Sequence, residues 1–260
     1  MAQANLGQSI LVGGMFEQFA SRIENVTEAA SLRPVLLGAI NAADITCGYA
    51  YIDNDVCVST VAIVGQYLRA LQEADEPAEA VLVAELCRDC RSVNLKSLAR
   101  FAFDQAGFDS VRIVELSDAD LHTACPAPAP PTECVQDEKT AVGIFGPAPV
   151  LLTPEFNKAV IARLEENGLM TVMPPLAHLL GQRDVFEPAV KYFIDAGIAY
   201  AIGIIPFGCM SGNVYARGRL RTLQKLYPSL QITLIDYDPS ASDINTINRT
   251  ELVIQSIFDE

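Results

Sequence analysis

Short apolar runs alternate with helical patterns through the second half of the chain, and this alternation narrows the fold more than any other feature. Ala141 to Phe145, Leu169 to Met173, Ala199 to Ile205 and Gln231 to Asp236 read as strands. Helical patterns follow them: Thr153-Pro154 to about Asn167, Asp184 to Ala196, Val214 to Leu226, and Ile244 to Phe258. Thr153 and Pro154 suit a helix cap and first turn, and Gly197 suits a helix stop. Strands joined through helices cannot pair as hairpins, so the expected sheet is parallel and doubly wound. Ala199 to Ile205 is apolar throughout, as a strand buried on both faces must be, and Pro206 and Gly208 stop it.

The first half shows the same alternation less plainly. Residues 1–33 read as helical and weakly amphipathic, with Phe16, Phe19, Ile23 and Val26 at helical spacing. Val35 to Ile40 is a candidate short strand. A helix is expected after Cys57, with Val61, Val64, Leu68 and Leu71 on one face and Asp53-Asn54-Asp55 as cap-type residues near its start. Glu73 to Glu79 is an acidic surface connection. Ala80 to Leu86, a helix from about Val93 to Ala106 ended by Gly107, and Ser110 to Leu116 make one right-handed βαβ unit. Between Cys125 and Cys134 stand Pro126, Pro128, Pro130 and Pro131, which favour an extended, solvated path. The expected organisation is therefore an N-terminal α/β domain at 1–124, a Pro-rich linker at 125–139 and a C-terminal α/β domain at 140–260.

A formal charge of −14 argues against nucleic acid and anionic membrane as partners, since both need basic patches. No run approaches the length of apolar residues that a bilayer requires. The first residues show neither a basic segment nor a long apolar run, so the expected location is the cytoplasm. Seven cysteines in a reducing compartment point to metal ligands or catalysts before disulfides. Cys125 and Cys134 flank the linker and read as loop thiols.

Cys57, Cys90 and Cys209, with Cys87 close to the second, share one property. Each falls at an expected helix start, and Cys90 and Cys209 also follow expected buried strands. The partial positive charge of a helix start favours thiolate, the form that binds metal. In a parallel sheet such turns lie at one edge, so two domains facing a cleft could bring these sulfurs together. Three or four converging thiolates suit an iron–sulfur cluster or zinc. The bland alternative, cysteine as a small core residue, stays open at each position. Other motifs fail. Gly208-Cys-Met-Ser-Gly212 has Met210 where a nucleophile elbow needs serine, no phosphate-binding glycine signature occurs, and the two histidines, His122 and His178, have nothing specific around them. Asp236 and Asp238 end a strand beside Ser240, Ser242 and Asn245, as loop turns or as the polar rim of a ligand site.

Four ordered segments carry a resemblance. They are Asp53-Asn-Asp-Val-Cys57 with the helix over 64–71, Cys90-Arg-Ser-Val-Asn94, Pro206-Phe-Gly-Cys209, and Asp236-Tyr-Asp-Pro-Ser-Ala-Ser-Asp-Ile-Asn-Thr-Ile-Asn-Arg249. They resemble corresponding segments of the 2-hydroxyacyl-CoA dehydratase component superfamily, most closely the branch fused to or accompanying its ATP-driven activase. The likeness covers roughly residues 45–120 and 140–258. It implies two Rossmann-like domains and a 4Fe–4S cluster between them, held by Cys57, Cys90 and Cys209, with Cys87 as a candidate fourth ligand. Relatives dehydrate (R)-2-hydroxyacyl-CoA through a ketyl radical, and others carry double-cubane clusters and reduce small molecules. The implied role is low-potential electron transfer or reductive chemistry, as a lyase or a reductase component. Implied partners are an activase or a second dehydratase-type subunit, and acyl-CoA. The alternative is a non-catalytic partner subunit, metal-free or holding zinc. The sequence departs from the pattern beside each ligand: Val58-Ser59 and Ser211 stand where proline is usual, and Glu85-Leu86-Cys87-Arg88-Asp89 replaces a glycine run.

Overall fold

The computed structural model describes residues 8–19, 23, 27, 31–84, 91–116, 141–175 and 185–259. The chain divides into two compact units, Met1–Cys125 and Pro126–Glu260. Among the described residues each contains a four-stranded, all-parallel sheet, so the chain is α/β.

The first unit runs β1 (Ser9–Val12), β2 (Arg33–Leu36), α1 (Ala42–Tyr49), α2 (Val58–Glu73), β3 (Ala80–Ala84), α3 (Leu95–Gln105) and β4 (Arg112–Leu116). Its strand order is β2-β1-β3-β4, with Leu11 opposite both Val35 and Val81, and Leu82 opposite Val114. Strands β1 and β3 are buried along their whole length, which an apolar run flanked by other strands and covered by helices explains. Helix α2 is the main covering element: Val58, Val61, Val64, Leu68 and Leu71 are all buried. It packs on α1 through glycine. A Cβ on Gly65 would stand 1.9 Å from the Asp44 carbonyl oxygen, and one on Gly48 would stand 2.2 Å from that of Val61.

Two polar residues of α2 tie the segments beyond β1 and β2 to the middle of β3. The Tyr67 hydroxyl accepts the Gly13 N–H at 3.0 Å and donates to the Leu82 carbonyl. The Gln66 side chain accepts the Gly14 N–H at 3.0 Å and donates to the Gly38 carbonyl at 2.7 Å. Buried backbone groups beyond β1 and within β3, and the more exposed Gly38 carbonyl beyond β2, are thereby satisfied by one helix. Removing the hydroxyl with Tyr67→Phe should lower stability by about 1–3 kcal/mol, read as a reduced urea midpoint at neutral pH. Burial also holds this phenol protonated well above the usual tyrosine range, with the Gly13 N–H opposing. The folded state then keeps a proton that the unfolded chain releases. Stability should therefore fall as pH rises past about 10, and Tyr67→Phe should lack that part of the alkaline loss.

The second unit runs β5 (Ala141–Phe145), α4 (Ala148–Leu152), α5 (Pro154–Glu166), β6 (Met170–Val172), α6 (Phe186–Asp195), β7 (Tyr200–Pro206), a π-helical turn (Gly212–Arg217) continuing into α7 (Gly218–Leu226), β8 (Gln231–Tyr237) and α8 (Ile244–Phe258). The order is β6-β5-β7-β8, with Ile144 opposite Ile202 and Ile202 opposite Thr233. Phe145 meets the ring of Phe186 edge-on at 5.8 Å and that of Phe193 at 6.0 Å, fixing α6 on the sheet. Helices α5 and α8 are joined by the Arg163–Glu251 ion pair.

Both units thus share one strand order, in which the first strand is internal and the order reverses between the first and third strands. Several sequence expectations are corrected here. Residues 1–33 are not one helical segment, because Ser9–Val12 is an internal strand and Gly14–Phe19 a tight helical turn. The strand expected over 35–40 lies at Arg33–Leu36 instead. Residues 42–49 form α1, opened by a capping box in which Asn41 and Asp44 bond reciprocally to each other's backbone N–H. Asp53-Asn54-Asp55 does not cap α2; its cap position is Cys57. The linker over 125–139, both histidines, and Cys87, Cys90, Cys125 and Cys134 lie outside the described residues.

Candidate metal centre

Each described cysteine of the expected set is built into the start of a helix. Cys209 lies just past β7, beside the point where the strand order of its sheet reverses. The Phe207 N–H still bonds to the Tyr237 carbonyl at 2.8 Å, and the Cys209 N–H then closes a turn on the Pro206 carbonyl at 3.0 Å. Gly208 takes φ of +73°, a left-handed conformation that glycine adopts without a Cβ penalty. The chain then turns into the π-helical segment, a widening frequent at functional positions. The Asn213 side chain and backbone N–H both donate to the Cys209 carbonyl, at 2.8 and 3.2 Å.

Cys209 is only 3% exposed. Its sulfur accepts the Gly212 N–H at 3.2 Å, and the Ser211 Oγ stands 3.4 Å away. A Cβ on Gly212 would lie 3.2 Å from this sulfur and 2.6 Å from Ile205 Cγ2, so the space around the sulfur depends on glycine there. Phe207, Met210 and Val214 are exposed around the turn and give it an apolar rim.

Cys57 is 5% exposed and occupies the cap position of α2. Its carbonyl accepts the Thr60 and Val61 N–H groups at 2.9 and 3.2 Å. Its sulfur lies 3.0 Å from the Ser59 Oγ. One turn further in, the buried Thr60 hydroxyl has no hydrogen-bond partner among the described residues. The Cys57 and Cys209 sulfurs thus each lie at a helix start with a serine hydroxyl against them, and that of Cys209 also accepts a backbone N–H. The two described thiols therefore fit the donor chemistry of a soft metal or an iron–sulfur cluster.

The third described cysteine differs. Cys47 is half-buried on α1, its sulfur 3.8 Å from Gln72 Oε1. Burial first, then the Asp44 carboxylate, raises its thiol above the usual range, which disfavours thiolate. Cys47 is a free thiol. Among the described residues no three histidine, cysteine, aspartate or glutamate side chains gather closely enough to hold a metal. Cys87 and Cys90 are not among those residues.

Asp236 pairs with Arg217, and Asp238 Oδ1 accepts the Ser240 N–H at 2.9 Å and its hydroxyl at 2.7 Å. The second arrangement is a side-chain-closed turn. Both aspartates line a cavity of ≈ 260 Å³ with Phe156, Lys158, Tyr237 and Thr246. No helix among the described residues is long and apolar enough to cross a membrane.

No protein-family model matches this chain, and no curated protein matches its sequence. Sequence reasoning treats Ser59 and Ser211 only as replacements for proline, whereas the structure sets each hydroxyl against a cysteine sulfur. A signal for this is present in the sequence: Cys57-Val-Ser59, Cys90-Arg-Ser92 and Cys209-Met-Ser211 repeat one Cys-x-Ser pattern.

Proposed function

We propose that this chain is an iron–sulfur protein in which Cys57, Cys90 and Cys209 hold a 4Fe–4S-type cluster, with Cys87 as the candidate fourth ligand. In this reading the two units are Rossmann-like, doubly wound domains facing a cleft that takes ligands from both. The cluster, when bound, supplies one electron at low potential to a thioester or similar small molecule, or to a partner subunit.

The observation that carries the reading is the matched construction at Cys57 and Cys209. Each sulfur is buried, opens a helix and has a serine hydroxyl against it. A cysteine used only to fill core space needs none of these polar neighbours. In sequence, Cys90 follows β3 as Cys209 follows β7, so the two sheets offer their third strands to equivalent ligand positions. The chain's own residues bury the sulfurs, direct N–H and O–H groups at them and rim the Cys209 turn with apolar side chains. The superfamily resemblance adds the candidate partners: an activase or second dehydratase-type subunit, and acyl-CoA as substrate class.

Anaerobic purification tests the reading. The expected protein is brown, with broad absorption near ~400 nm and roughly four irons and four sulfides per chain; about twice that content would mark a double-cubane variant. A colourless protein carrying zinc, or no metal, would instead make the chain a non-catalytic partner subunit.

A further inference from the structure

We propose that Ser59 and Ser211 donate hydrogen bonds to the metal-bound sulfurs of Cys57 and Cys209 and thereby set the reduction potential of the group they hold. The proposal rests on the iron–sulfur reading above and concerns residues that stand where the resembled pattern has proline.

The geometry fixes the direction of the bond once metal is bound. With a protonated thiol, either atom of each sulfur–hydroxyl pair could donate, at 3.0 Å for Ser59 and 3.4 Å for Ser211. A sulfur that holds metal has lost its proton, so only the hydroxyl has a hydrogen to give. Serine near a helix start ordinarily caps a backbone N–H. Ser211 already stands in helical backbone in the first turn after Cys209, and its hydroxyl lies 3.4 Å from that sulfur. At α2 the cap position is the cysteine itself, and the Ser59 hydroxyl is used on its sulfur. Both serines are buried, at 3% and 1% exposure, so water does not compete freely for either hydroxyl.

Proline at these positions would offer neither hydroxyl nor N–H. The serines therefore add donors near the sulfurs that the resembled pattern lacks. Reduction adds negative charge to a cluster, and donors to its sulfurs stabilise the added charge, raising the potential. The Gly212 N–H gives Cys209 a second donor of the same kind. The repeated Cys-x-Ser at Cys90-Arg-Ser92 extends the pattern in sequence to the third expected ligand. These serines are positioning residues: they act through the cysteines.

The test is a potentiometric titration of anaerobically purified protein carrying Ser59→Ala, Ser211→Ala or both, with iron and sulfide counted in each. At one fixed poise, each single variant should show a reduced-to-oxidised ratio lower by roughly three- to tenfold, and the double variant a further several-fold. Ser59→Thr and Ser211→Thr, which keep the hydroxyl, should return the ratio toward wild type. If alanine instead strips iron from a folded protein, rescue by threonine supports the proposal and failure of rescue overturns it. The deuterium shift of the iron–sulfur stretching bands reads the same hydrogens without relying on the threonine variants folding. It should shrink in each alanine variant, and an unchanged shift overturns the proposal. An unchanged potential in an iron-replete double variant also overturns it while leaving the iron–sulfur reading intact. Iron-free wild-type protein overturns both.

Discussion

Replacing Cys209 with serine should yield a folded, colourless protein whose iron and sulfide fall below about a tenth of the wild-type content. The size of the effect follows from ligand chemistry. Iron–sulfur clusters are held through soft thiolates, and a serine oxygen is harder and far less acidic than a thiol. The fold should tolerate the change. Serine is close to cysteine in shape, and its hydroxyl can take the Gly212 N–H that the sulfur accepts at 3.2 Å. The expected cost of burying that hydroxyl is about 1–3 kcal/mol, against a typical domain stability of 5–15 kcal/mol. Far-UV circular dichroism and a urea titration would check this beside the metal analysis. Cys47→Ser is the control: its thiol is pushed toward the protonated form, so its loss should leave iron unchanged. Full iron retention in Cys209→Ser would remove that residue from the ligand set.

Gly65→Ala should produce a large loss of stability in the first unit. The new Cβ would sit 1.9 Å from the Asp44 carbonyl oxygen, 2.6 Å from the Gly48 nitrogen and 2.9 Å from the Gly48 Cα. All three are backbone atoms, so no side chain can swing aside. Relief requires α1 and α2 to move apart, which loosens packing along a helix that is buried over most of its length. Alanine's better helix propensity returns only about 1 kcal/mol. The expected net destabilisation is about 3 kcal/mol or more, read as a fall in urea midpoint. Because α2 begins at Cys57, the same displacement should reach that sulfur, and iron content should fall with stability.

Apart from the five-residue helix α4, which was not anticipated, the second unit was legible in the sequence because its elements carry their own local signals. Ala141–Phe145 is apolar at every position, Thr153-Pro154 marks a helix start, and Gly168 and Gly197 take the positive φ of helix stops. The first unit hid two elements for physical reasons. Strand β1 has four residues, and a short apolar run is ambiguous between strand and helix. What makes it a strand is pairing with β2 on one side and β3, some 70 residues later, on the other. Helix α1 was hidden by β-branched and aromatic residues, Ile45, Thr46 and Tyr49, although Asn41 and Asp44 at three-residue spacing were a readable cap. At the candidate centre, the cysteines could be singled out from sequence because helix starts can be anticipated. The serine contacts left only the repeated Cys-x-Ser spacing as a signal, and that spacing does not say where each side chain turns after the backbone is placed.

The internal position of each unit's opening strand has a consequence for synthesis. A strand translated early needs neighbours that do not yet exist. Ser9–Val12 can gain Arg33–Leu36 soon after emerging, but its other flank stays bare until Ala80–Ala84 has been made. Ala141–Phe145 waits in the same way for Tyr200–Pro206. During that interval an apolar ribbon has one open edge, the condition under which chains adhere to one another. Slow passage of the ribosome between these paired segments would lengthen that exposure, while completion of the later strand would end it.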